Sequence, residues 1–156
     1  MHFIRNAAYY HAWNAAPVVR KKEQFWRTLN ANFIDICLLE WCKLFGDINA
    51  KHHWMKSVSD RNAFLAELYR ETGLDVAKME VYRLEVRAYR DKFVAHLDDL
   101  NEMQIPRLMP ALDSVRCLYK YLVKVEDDVD AFHDAPKSPY TRYQEHLQEA
   151  RNAHRS

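Results

Sequence analysis

Glycine is nearly missing: Gly46 and Gly73 are the two glycines in 156 residues. Strand folds need turn residues about every 8 to 12 positions, and phosphate-cradling loops need several glycines together, so neither a β-sandwich nor a glycine-rich nucleotide loop can be written with this alphabet. Cysteine is scarce and odd in number. Cys37, Cys42 and Cys117 show no C-x-x-C spacing and sit inside apolar helical patterns, which reads as reduced core thiols in a reducing compartment and argues against a structural disulfide. Excess charge of one sign is absent too, with 23 Lys and Arg against 22 Asp and Glu. No whole-molecule field then draws the chain onto nucleic acid or an anionic membrane, and any such binding is local. The apolar stretches are cut by charge well before a membrane span is complete, and residues 2–6 lack the basic-then-apolar layout of a signal peptide. A soluble cytoplasmic protein is expected.

What remains is apolar and aromatic residues, 49% and 13% of the chain, enough to fill a core. A single domain of this length buries roughly 70% of its unfolded surface without a staple. The spacing predicts an all-α, antiparallel bundle of about four core helices plus short terminal helices. Residues 2–14 suit a short helix ended by Pro17. From Val18, the positions Phe25, Leu29, Phe33, Ile36, Cys37 and Leu44 recur at threes and fours up to Gly46, predicting one helix of about 28 residues closed by a left-handed glycine. Residues 46–58 lack a period and read as an irregular connection packed by Trp54. Adjacent His52 and His53 point apart and have no third ligand at suitable spacing, so no metal is expected. Ser59 or Asp60 caps the next helix, which stops at Gly73, and Asp75 caps another. Pro106 and Pro110 bracket a turn before a helix carrying Leu112, Val115, Leu118, Tyr119, Leu122 and Val125. Residues 1–130 then form the helical domain. Residues 131–156 form a tail of the same domain, with Ser138 as cap and Pro139 at the first position of a short docking helix.

The segment from Val76 to about Leu97 has more structure than a simple amphipathic helix. Met79, Tyr82, Val86, Tyr89, Phe93 and Leu97 share one apolar face. Ala77, Val81, Leu84, Ala88 and Ala95 share a second face roughly 160° away, so the bundle centre or a second subunit must cover it. Between them run Arg83, Arg87 and Arg90, with Glu80 and Asp91 at the edge. For Arg83 and Arg87 a solvated stripe paired with Glu80 competes with RNA-backbone contact.

Within this segment stands Arg90-Asp91-Lys92-Phe93-Val94-Ala95-His96, an arginine and a histidine with five residues between them. It resembles the R-x(4 to 6)-H motif of HEPN domains. The longer string RDKFVAHLD is similar to the form in HEPN proteins of abortive phage infection. The all-helical plan and the long helix ending in Trp41-Cys42-Lys43-Leu44-Phe45-Gly46 extend the resemblance to about Lys124. The resemblance implies a metal-independent endoribonuclease with no cofactor, acting as a homodimer whose two motifs face one cleft, often a toxin controlled by an antitoxin or other partner. Carried over by position, His96 transfers the proton, Arg90 binds the scissile phosphate and Asp91 is the auxiliary polar residue, an aspartate where many members have asparagine.

That chemistry is physically sound without a metal. RNA carries its own nucleophile in the 2'-hydroxyl, so cleavage needs a base that titrates near neutrality and a fixed cation for the charge building on phosphorus. Histidine and the planar arginine fork fit those roles. One point resists: on a straight α-helix Arg90 and His96 stand roughly 9 Å apart along the axis and roughly 120° around it, so one copy looks incomplete. A noncatalytic HEPN-like RNA- or protein-binding module, and a helical dimer in which Arg90 and His96 merely bridge subunits, remain alternatives.

Overall fold

The computed structural model describes residues 2–94, 104–125 and 138–155. Among them every regular element is helical: α1 (His2–Ala12), α2 (Val18–Lys22), α3 (Gln24–Trp41), α4 (Arg61–Thr72), α5 (Val76–Tyr89), α6 (Leu108–Val125) and α7 (Pro139–Arg155), with π-helical turns at Cys42–Gly46 and Arg90–Val94. No described helix is long and apolar enough to cross a membrane. The expected domain–tail junction near residue 130 lies outside the described residues.

Several boundaries follow from local chemistry. Asp60 Oδ1 accepts from the Ala63 N–H at 3.0 Å, and Asp75 Oδ1 accepts from the Lys78 N–H at 2.8 Å, so both aspartates cap helices as their positions predict. Gly73, at φ 67°, adopts the left-handed conformation that ends α4. Ser138 Oγ accepts from the Tyr140 N–H with Pro139 at the first helical position. The helix it opens has 17 residues and so is no short appendage.

Other boundaries correct the expectation. The predicted helix of about 28 residues is broken at Glu23, whose extended backbone (ψ 126°) separates α2 from α3. Arg20, Lys21 and Lys22 therefore lie at a helix carboxyl end, where the dipole favours cations, and not at the start of a long helix. Gly46 is not left-handed. It closes a π turn, and a Cβ there would stand 3.1 Å from Cys42 Sγ, so a side chain would fit only if Cys42 shifted by a few tenths of an ångström. Pro110 lies within the first turn of α6, where its missing N–H has no carbonyl four residues back to lose.

The helices pack antiparallel. Phe3 and Tyr9 of α1 meet Cys37 and Phe33 of α3, and Tyr9 and His11 meet Glu149 and Tyr143 of α7. Trp41 and Asp35 of α3 meet Tyr82 and Tyr89 of α5. Phe64 of α4 packs on Tyr121 of α6. α3 thus touches α1, α5 and α6. Its buried stripe is Ile34, Cys37, Leu38, Trp41, Cys42 and Phe45, rotated from the one predicted; Phe25 is 68% exposed and Ile36 is also outside the core. Both stripes have helical spacing, and neighbouring helices chose between them. On α6 the core likewise takes Leu108, Ala111, Leu112, Ser114, Val115, Cys117, Leu118 and Tyr121, leaving Val125 exposed.

Trp41 is fully buried, stacked on Phe45 at 5.5 Å and edge-on to Tyr82 at 5.3 Å. Its Nε1–H donates to Ser114 Oγ at 2.8 Å, and that hydroxyl donates to the Ala111 carbonyl at 2.9 Å, so the one polar hydrogen of the ring is satisfied inside the core. Trp41→Phe removes this hydrogen bond and leaves unfilled volume. It is expected to cost about 1–3 kcal/mol in urea unfolding; a loss below about 0.5 kcal/mol contradicts a central role for this ring.

Candidate functional site

The arginine stripe of α5 lies against the end of α3. Arg83 donates through Nε and Nη2 to the Glu80 carboxylate at 2.7 and 2.5 Å, and through Nη1 to the Gly46 carbonyl at 3.1 Å. Arg87 Nε lies 3.6 Å from Asp47 Oδ1, an ionic contact too long to be a hydrogen bond for that buried nitrogen. Arg90 donates through Nη1 to Asp47 Oδ2 and through Nε to Asp91 Oδ1 at 2.8 Å. Three arginines thus meet three carboxylates, and only part of the expected pairing comes from their own helix: Glu80 holds Arg83, while Asp47 reaches Arg87 and Arg90 from another element.

Asp47 was not legible as a site residue. Its signal in the sequence is a carboxylate following a helix-ending glycine, and no spacing links position 47 to positions 87 and 90. The structure sets its place through the π turn, closed by the Asp47 N–H donating to the Cys42 carbonyl at 2.9 Å. Without a side chain on Gly46 the turn packs against Cys42, and the Arg87 Cγ lies just beyond.

The helix expected to run straight to Leu97 changes winding at Arg90, where α5 passes into its π turn. A π turn places more residues in each revolution than an α turn, so Arg90 to Val94 does not follow the α-helical arithmetic. His96, with Ala95 and Leu97, lies outside the described residues. Arg90, Asp91, Arg87 and Arg83 are brought together on one stripe.

Electrostatics agree with this geometry. The hydrogen bonds that Arg90 donates to Asp91 and then to Asp47 raise its pKa despite partial burial, so the guanidinium is cationic at any working pH. Burial pushes the neighbouring Cys42 thiol up to about 11, with Arg90 pulling the other way, so this sulfur is no nucleophile near neutrality. Cys37, Cys42 and Cys117 are all buried and free, as expected.

On the far side of Gly46, Trp54 is buried as expected and packs on Phe64 at 4.9 Å. His53 is buried beside it, its Nδ1 accepting from the Met55 N–H at 3.4 Å. Among the described residues no group of three or more His, Cys, Asp or Glu side chains could hold a metal. The second face of α5 is open: Ala77 and Ala88 are exposed, as are Val81 and Leu84 at 65% and 52%. Nothing in the described chain covers it. Set against protein-family models, curated proteins and solved structures, the chain matches none of them.

Two buried histidines and a half-buried one make stability pH-dependent. Desolvation lowers the pKa of His11, His53 and His154 below 6.5. In the unfolded chain they take up protons as pH falls through 6.5, while in the folded chain they stay neutral to lower pH. Their contribution is therefore present above 6.5 and is lost as pH falls toward the folded values. The urea midpoint is expected to drop between pH 7 and 5, and His53→Gln should flatten part of that slope; a midpoint constant over this range would contradict the assignment.

Proposed function

We propose that this chain is a metal-independent endoribonuclease of the HEPN type, acting as a toxin or phage-defence effector at a cleft shared by two subunits. The observation that carries the proposal is the placing of Arg90. The motif arginine stands at the junction of α5 with a π turn, tied to Asp47 and Asp91 and in line with Arg83 and Arg87. Interruptions of this kind in an α-helix occur often at functional sites.

In the proposed reaction His96 takes the proton of the ribose 2'-hydroxyl, and the 2'-oxygen attacks phosphorus. The bond from phosphorus to the 5'-oxygen then breaks and that oxygen is protonated, leaving a 2',3'-cyclic phosphate and a free 5'-hydroxyl. Arg90 meets the charge building on the phosphate oxygens, with Arg83 and Arg87 along the RNA backbone. Asp91 holds the Arg90 fork from its Nε edge. The second subunit docks on the face of Ala77, Val81, Leu84 and Ala88 and brings its own motif to the same cleft. A noncatalytic HEPN-like module that binds RNA or a partner protein is the second reading. One observation favours it: the three arginines already meet Glu80, Asp47 and Asp91.

Purified protein incubated with mixed RNA in chelator should release cyclic-phosphate ends. His96→Ala and Arg90→Ala should each lower the rate by roughly two orders of magnitude, and Arg90→Lys should recover little, because a point charge does not replace a two-pronged contact. RNA bound but never cut supports the binding module; His96→Ala cutting at the wild-type rate in nuclease-free material removes the mechanism.

The shared cleft has its own test. Because Leu84 and Ala88 are exposed in the single chain, glutamates at both positions should dissociate the dimer while leaving the helices folded. Light scattering reads the mass and circular dichroism the fold. A wild-type monomer at micromolar concentration would count against the shared cleft.

A further inference from the structure

Two carboxylates hold Arg90, and they differ in what they are attached to. Asp91 is the next residue on the same turn, with a side chain 55% exposed, so it moves with Arg90 and sets no position relative to the rest of the fold. Asp47 lies 43 residues away in sequence and belongs to the segment that closes α3. Its backbone is held by the bond from its N–H to the Cys42 carbonyl, and the carbonyl of Gly46 before it accepts from Arg83. The backbone that carries the carboxylate is therefore tied to the end of α3 independently of Arg90. It also lies in longer ionic contact with Arg87, three residues before Arg90 and neighbouring it on the helix surface.

We propose that Asp47 is the positioning residue of the site, fixing the Arg90 guanidinium relative to the core, a role that rests on the ribonuclease reading above. An arginine side chain has several rotatable bonds, and leaving it unanchored spreads its charge over many positions. Transition-state contacts do not tolerate that spread, since a misplacement of about 1 Å can cost roughly a hundredfold in rate. Asp47 further separates two like charges that would otherwise push Arg87 and Arg90 apart. The bonds to Asp47 and Asp91 take two of the five N–H donors of a guanidinium, so anchoring does not exhaust the fork that a phosphate would meet.

Such a residue acts on turnover and not on capture of the RNA. In the full-length chain, with a fluorescent single-stranded RNA oligonucleotide as probe, Asp47→Asn should lower kcat roughly 10- to 100-fold. KM should stay unchanged or fall, because a negative charge has left the RNA-facing stripe. Asp47→Glu, which keeps the carboxylate, should recover part of the rate. A second measurement needs no activity: the Arg90 Nη–Hη signals in nitrogen-edited NMR, assigned by their loss in Arg90→Lys, should be split and dispersed in the wild type, where Nη1 donates to Asp47, and collapse toward the free-arginine position in Asp47→Asn. Asp47→Asn turning over within about twofold of wild type overturns the role, as does an increase in kcat, which would make Asp47 a brake. If the wild type cuts no RNA, the ribonuclease reading fails and the Arg90 signal alone decides: unchanged in Asp47→Asn, it overturns the anchoring as well.

Discussion

A carboxylate reaching out from the end of one helix to the arginines of another is the contact on which the candidate site depends. Asp47 stands where α3 has finished its π turn, and its charge is met by Arg87 and Arg90 on α5. Remove that contact and α5 is still packed through Tyr82, Val86 and Tyr89, and Arg83 still donates to the Gly46 carbonyl, but Arg87 and Arg90 lose the contact that reaches them from outside their own helix. Apolar burial sets where the helix lies and is indifferent to where its guanidinium groups point. The ion pairs supply that missing direction.

The pairs are also of the right kind for a working site. They are partly buried, so they are neither a solvated surface pair of little worth nor a fully dehydrated one whose desolvation outweighs its attraction. In the proposed reaction a phosphate arriving at Arg90 would meet a cation whose orientation had already been set, and reorganisation would be small. The balance of three arginines against three carboxylates has a second consequence. The stripe presents little net positive field, in one copy or in two, so under the proposed reading RNA would be met through the guanidinium donors that the carboxylates leave free and not through net charge.

Helical class was legible because it needs local information alone. Two glycines in 156 residues, apolar spacing of three and four, and the caps at Asp60, Asp75 and Ser138 all act within a turn of the chain. The same locality explains the misses. Val18 to Gly46 has continuous helical spacing and no breaker, yet Glu23 is extended; the burial chosen by α3 turns toward Ile34, Leu38 and Trp41 and leaves Phe25 outside. Gly46 has the look of a left-handed stop and is instead a residue packed closely on Cys42 at the end of a π turn.

The candidate site divides along the same line. Its Arg83, Arg87, Arg90 stripe and the second apolar face are properties of one helix, and helical geometry alone places them from the sequence. His96, the other half of the motif, is likewise named by the string that carries it. Asp47 and the change of winding at Arg90 belong to tertiary structure, because each depends on how α3 and α5 come to lie antiparallel. That pairing is set by Trp41 against Tyr82 and Asp35 against Tyr89, between residues about 41 to 54 positions apart. A periodicity read along one chain segment carries no information about contacts at that separation. Side-chain packing between the two helices decides them.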